Sequence, residues 1–249
     1  MQVHLVANTI LFVFEGDKTE RLLLRSFQRF YFRENGRSLI AATYGTGVYS
    51  LYQQLKNDEF LDLVEILRER SDANKTALQG ISREDISEVY LFFDHDAHNS
   101  NADDKKLREL LDYFQEETDQ GKLYISYPMV EAVKHICAST DFRDVFAEIA
   151  NNQRYKGLVS QTCLPELTHL HELEQSHWYR INKEHSMKAW DLFCDQYDLP
   201  KQLIPQMVIF ERQLEKHIRP HSSVAVLSAF PLLLLDYYGV KGLDFLCGD

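Results

Sequence analysis

Short apolar runs alternating with helical stretches fill the first half of the chain, and this order leaves few folds open. "TILFVF" (residues 9–14) is β-branched and aromatic with no helical period, and it stops at Glu15-Gly16, so it reads as a buried strand leaving its sheet through a turn. "DKTERLLLRSFQRFYF" follows as a helix: Leu23, Phe27, Phe30 and Tyr31 share one face, while Asp17 and Glu20 lie in the first turn, where the helix dipole favours negative charge. "SLIAATYG" reads as the second strand after the turn "ENGR", and Gly45 and Gly47 loosen the entry to a helix around residues 48–70. "SEVYLFF" is the third strand, a helix over about 103–118 is stopped by Gly121, and "KLYISY" is the fourth strand, ending at Pro128. Strand and helix in alternation imply right-handed crossovers and an α/β fold: a mainly parallel four-stranded sheet flanked by helices.

Past residue 138 the pattern changes. No strand is evident, and "DFRDVFAEIANNQ", "LPELTHLHELEQSHWYRI" and "SMKAWDLFCDQY" read as helices, so the expected organisation is an α/β domain over 1–138 and a helical C-terminal domain over 139–249. Sparse Pro and Gly signals favour a docked second half over a tethered one. "SAFPLLLLDYYGV" is broken by Pro231 and Asp236 and is too short to span a bilayer, which predicts a buried helix and no membrane role. The N-terminal stretch lacks a basic region and runs into acidic residues, so a strand is expected there in place of a signal peptide, and the cytoplasm as the location. Cys137, Cys163, Cys194 and Cys247 form no C-x-x-C pair, which predicts reduced thiols.

Chemistry concentrates where strands end, because ligand sites in open α/β sheets lie outside the carboxyl ends of the strands. Glu15 follows the first strand, Asp94 and Asp96 follow the third, and Glu131 lies beyond the fourth in "SYPMVEAVKH". Carboxylates brought together raise one another's pKa or need a cation between them. Magnesium is the natural candidate: it takes oxygen ligands, keeps several waters and needs only one or two carboxylates besides substrate phosphates. Asp94 and Asp96 share one side of an extended backbone, since strand side chains repeat every second residue.

The pair "FVFEGDKTE" and "LFFDHDA", in this order and separated by a βα unit, resembles the Toprim fold shared by bacterial primases, topoisomerases and the OLD-type and RloB-like nucleases. The resemblance covers roughly the first 135 residues. It implies that Glu15 acts as a general acid or base near the scissile phosphate and that Asp94 and Asp96 bind Mg2+ (or Mn2+). Glu20, in the E-G-x-x-x-E spacing, would reach a metal only through water, and its plainer reading is a first-turn helix acid. "YPMVEAVKH" is similar to the small Toprim effectors of anti-phage systems, including those of PARIS type that work with an ATPase. On that likeness Glu131 is a further metal ligand and Lys134 a catalytic, phosphate-contacting residue.

Against a formal net charge of −11, binding nucleic acid requires a local basic face. Arg21, Arg25, Arg29 and Arg33 recur every fourth residue along the first helix, either as a phosphate track toward Glu15 or as a solvated face. His95 and His98 flank the acidic pair; His169, His171, His177 and His185 read as exposed or helix-capping residues, since H-x-H on a helix points its rings apart. No G-x-x-x-x-G-K-[ST] loop occurs, so nucleotide hydrolysis would come from a partner.

These readings converge on a metal-dependent endonuclease acting on RNA, tRNA included, or DNA, and serving as an anti-phage effector controlled by an ATPase. A homodimer is a further candidate assembly. The rivals are a primase-like or topoisomerase-like Toprim enzyme and a non-catalytic protein of the same fold used for binding or inhibition.

Overall fold

In the computed structural model, residues 9–32, 37–57, 61–95 and 104–248 are described. The chain packs as two units, one of residues 1–93 and 101–123, the other of 94–100 and 124–249. β5 carries the chain from one to the other.

The sheet is α/β, mainly parallel, and has five strands in place of four, in the order β2-β1-β3-β5-β4. β1 (Thr9–Phe14) pairs in parallel with β2 (Ser38–Thr43) on one side and β3 (Ile86–Asp94) on the other. The added strand is β4 (Gln115–Glu116), two residues antiparallel to the start of β5 (Gly121–Ser126). So short a strand has no periodicity of its own to announce it. The helix before it ends at Tyr113, earlier than expected, and Gly121 serves the strand: its φ is +112°, and a Cβ there would lie 2.5 Å from Leu91 Cδ1.

Helices flank the sheet. From Ile10 to Phe14 β1 is fully buried, as a central strand covered on both faces must be. α1 (Lys18–Tyr31) buries Leu23, Leu24, Phe27 and Tyr31 and exposes Arg25 and Arg29. Phe27 meets Phe12 edge-on at 6.2 Å, and Phe12 is also 5.8 Å from Phe92, an aromatic core in which each fully buried ring contributes roughly 1.5–3 kcal/mol before entropy is counted. The helical region after β2 is divided into α2 (Val48–Asn57), α3 (Leu63–Arg70) and α4 (Asp72–Ala77). Asn74 in α4 is wholly buried and closes the end of β2: its Oδ1 accepts from Thr43 N–H (3.0 Å), and its Nδ2 donates to the Thr43 and Leu67 carbonyls (2.7 and 2.8 Å). α5 (Asp104–Tyr113) precedes β4.

The second unit contains more than helices. β6 (Phe146–Glu148) and β7 (Ser223–Ala225) form an antiparallel ribbon of two three-residue strands. Between them run α6 (Asn152–Thr162), α7 (Gln175–Cys194), α8 (Gln206–Gln213) and the short α9 (Arg219–His221). α10 (Ala229–Tyr238) and α11 (Leu243–Cys247) follow the ribbon. The apolar segment expected to be a buried helix is α10, whose residues from Ala229 to Leu235 are all buried. No helix among the described residues is long and apolar enough to cross a membrane. All four cysteines are free thiols.

Two buried polar residues organise this unit. Lys188 of α7 donates to three backbone carbonyls, Phe142, Arg143 and Val145, at 2.7–2.8 Å, which fixes the turn before β6. His185, one turn earlier, is fully buried, against the expectation of an exposed or capping histidine; its Nδ1 accepts from Ser228 N–H at 3.1 Å, ahead of α10. A lone histidine on a helix carries no pattern that distinguishes this role from an exposed one.

Candidate metal centre

In the first unit, β1 delivers Glu15 to the carboxyl edge. The Glu15 N–H donates to the Phe92 carbonyl of β3 (3.1 Å), and its own carbonyl accepts from Gly45 N–H (3.0 Å) in the loop after β2. The half-buried Glu15 is thereby fixed by backbone on both sides. The next residue explains the E-G-x-x-x-E spacing. Glu20 is buried, at 7% exposure, and its Oε1 accepts from Gly16 N–H at 3.0 Å, so its carboxylate reaches back over the turn it follows. A Cβ on residue 16 would lie 2.6 Å from that oxygen, closer than real contacts allow. Asp17 accepts from Thr43 Oγ1 at 3.0 Å and from Arg21; the Arg21 guanidinium, foremost, holds its carboxyl below the usual carboxylate range.

In the second unit, Asp94 is the last residue of β3 and is half-buried. His95 then continues the hydrogen bonding of the strand, its N–H donating to the Ser126 carbonyl at 2.9 Å, and its ring lies 5.1 Å from that of Tyr127. Beyond β5 the Tyr127–Pro128 peptide is cis, and a 3-10 turn over Val130–Lys134 buries Glu131. The Glu131 carboxylate, 5% exposed, meets the Lys156 ammonium of α6 at 2.9 Å. Tyr155, next to Lys156, is buried, and its hydroxyl is 2.9 Å from His135 Nδ1. Burial raises the Tyr155 phenol well above its ordinary pKa, and the negative charges of Glu131, Cys137 and Asp94 add to the rise. Burial, helped by the Lys188 charge, pushes the His135 imidazole down to about 4.

The other expected site residues fall as follows. Asp96 lies outside the described residues, as do Arg33 and His98. Lys134 is buried, with its ammonium 3.2 Å from the Thr168 carbonyl, a position facing protein. Arg21 is engaged by Asp17, whereas Arg25 and Arg29 are exposed on α1, Arg29 lying 5.2 Å from the Phe30 ring. The His169 and His171 rings are 5.9 Å apart, around a 3-10 turn and not along an α-helix.

Among the described residues no group of three or more His, Cys, Asp or Glu side chains has the arrangement of a metal site. What the second unit offers is a buried carboxylate, Glu131, paired with the Lys156 ammonium, and separately the half-buried Asp94 at the end of β3. Carboxylate oxygens are the donor type a hard divalent ion takes, and the ammonium shows that positive charge is favoured beside Glu131. Lys156 was not foreseen as a site residue: it is far from Glu131 in sequence, and a lysine on a polar helix face reads as solvated.

An α/β sheet with carboxylates after its strands is the class this fold defines. No family model, curated protein or solved structure matches the chain.

Proposed function

We propose that this chain is a magnesium-dependent Toprim-type nuclease that hydrolyses phosphodiester bonds in RNA, tRNA included, or DNA, and that it serves as an anti-phage effector controlled by an ATPase partner. The observation that supports the reading is the placement of acidic residues after sheet strands: Asp94 terminates β3, and Glu131 lies buried beyond β5 with the Lys156 ammonium against it. Burying a carboxylate costs several kcal/mol unless its charge is balanced, so a structure that retains one has a use for positive charge there. The parallel strand order, with Glu15 directly after β1 and Asp94 ending its neighbour β3, agrees with the Toprim resemblance.

In this mechanism Asp94, Asp96 and Glu131 would hold the metal. Mg2+, when bound, would neutralise the non-bridging phosphate oxygens and acidify water. Glu15, held in place by the Phe92 carbonyl and Gly45 N–H, is the general acid or base that the Toprim resemblance implies. Arg25 and Arg29 offer exposed guanidinium groups to the phosphate backbone of the substrate.

A second reading, a non-catalytic protein of this fold, is favoured by the Glu131–Lys156 pair itself, which leaves Glu131 neutralised without a metal. Cleavage assays separate the two. Labelled tRNA, unstructured RNA and single- and double-stranded DNA are incubated with the protein in Mg2+, Mn2+ or chelator, with and without an ATPase encoded beside it. The nuclease reading expects metal-dependent cleavage that falls about a hundredfold or more in Asp94→Asn. Intact substrates under every condition would leave the non-catalytic reading standing.

A further inference from the structure

We propose that Cys137 and Cys163 are a dithiol that closes, within the folded chain, to a disulfide joining the two ends of the segment that holds β6 and α6. This modification site stands apart from the nuclease reading.

Backbone pairing places the two residues opposite each other. Cys163 caps α6 and leaves it in an extended conformation (φ −67°, ψ 158°), and there it forms an antiparallel bridge with Cys137, just after the 3-10 turn over Val130–Lys134. The hydrogen bonds show what kind of pair this is. The Cys163 N–H donates to the Val159 carbonyl of its own helix (2.9 Å), and the Leu164 N–H donates to the Ile136 carbonyl (2.8 Å), so the bridging bond lies beside the cysteines and not between them. In such a non-hydrogen-bonded antiparallel pair the facing Cα atoms come to about 4.5 Å and both side chains project to the same face. A disulfide spans Cα separations of about 4.4–6.8 Å, so closure needs rotation of the side chains and no shift of the backbone.

Both thiols are free and half-buried, and Ala138, Ser139, Gln161 and Thr162 beside them are exposed, so a small oxidant has access. Cys163 Sγ has Thr168 Oγ1 at 3.8 Å, a long contact that side-chain rotation gives up. The other two cysteines are not placed to pair. Cys194 ends α7, its thiol donating to the Trp190 carbonyl at 3.3 Å, whereas Cys247 follows Leu246, whose carbonyl accepts from Asn182, about 18 Å back along α7 at 1.5 Å per residue.

The oxidant is a low-molecular-weight disulfide such as oxidised glutathione. One cysteine, as thiolate, attacks it and releases one thiol; the second, as thiolate, attacks the mixed disulfide at the protein sulfur and releases the other, so two protons and two electrons leave the protein on two molecules of reduced thiol. The bond restricts the unfolded chain across β6 and α6 and thereby stabilises the docking of α6 beside the turn that buries Glu131.

The test is oxidation of the full-length chain, first fully reduced, by oxidised glutathione under native conditions, followed by alkylation and peptide mapping by mass spectrometry. The four free thiols should fall to two, with Cys137 and Cys163 in one cross-linked peptide pair lighter by two hydrogens and with Cys194 and Cys247 alkylated. The product should run as a single chain without reductant and melt several degrees above the reduced protein. Cys137→Ala and Cys163→Ser, either of which removes the bond, should show no shift between oxidising and reducing buffers. Four alkylated thiols, a glutathione adduct that does not resolve, a bond between chains, a different pairing, or a bond that forms only after unfolding in urea overturns the proposal. A native bond that leaves the melting temperature unchanged or lower overturns it as well.

Discussion

The Gly16 amide and the Glu20 carboxylate are 3.0 Å apart, and the contact exists only because residue 16 has no side chain: a Cβ would sit 2.6 Å from Glu20 Oε1 and 2.9 Å from Oε2. Glycine here makes room for a buried acid, and the acid caps the turn that follows Glu15. Gly16→Ala is expected to displace the Glu20 carboxylate from the Gly16 amide and to destabilise the chain by about 1 kcal/mol, the worth of one hydrogen bond. Because the clash is with one side chain, Glu20→Ala should relieve part of it, and the double variant should be less unstable than the sum of the single effects by about 1 kcal/mol. Urea denaturation of the four proteins measures the cycle, and strictly additive losses would contradict the contact.

Asn74 makes a prediction of the opposite sign in charge. Its amide donates to two carbonyls and accepts from one N–H, all backbone, in a fully buried position. Asn74→Ala leaves these groups unpaired and should cost on the order of 3 kcal/mol. Asn74→Asp is nearly the same size but replaces the donor with a second acceptor against the Thr43 and Leu67 carbonyls, so it should be worse than alanine at pH 7 and improve as the pH is lowered toward protonation of the carboxyl. Denaturation midpoints of both variants at pH 7 and pH 5 check the ranking.

Two buried histidines contribute to the acid sensitivity of the second unit. Burial pushes His135 down to about 4 and His185 to about 3. In the unfolded chain each titrates near 6.5, so as the pH falls below that value the unfolded state takes up protons that the folded state refuses. The stabilisation is complete above about 6.5 and shrinks toward the folded-state values. At pH 5 the loss should be about 2 kcal/mol per histidine relative to pH 7. His135→Gln should show a shallower pH dependence than wild type in the same denaturation series. Equal wild-type stability at pH 7 and pH 5 would show that these rings are charged inside the fold.

How far the sequence foretold this structure depended on the length and burial of each element. β1, β3 and β5 were legible because strands covered on both faces must be continuous apolar runs, as "TILFVF" and "SEVYLFF" are, whereas β2, an edge strand with only Ala42 buried, was legible from the short run "SLIAAT" after the turn signal "ENGR". α1 was legible through its alternation of buried Leu23 and Phe27 with exposed Arg25 and Arg29. β4, β6 and β7, of two or three residues each, exist only through their pairing partners, and no local pattern encodes a partner distant in the chain. The candidate site divides in the same way. Glu15 and Asp94 were readable from their places after strands, whereas the burial of Glu131, its partner Lys156 and the Tyr155–His135 bond arise from the packing of α6 on the turn after β5.

The assignment of Asp94 as a metal ligand is tested most directly by titrating Mg2+ and Mn2+ into wild type and Asp94→Ala in a calorimeter, with folding of both verified beforehand. A saturable heat in wild type that is lost or weakened at least tenfold in the variant is the expected result. Identical titrations of the two proteins would contradict it.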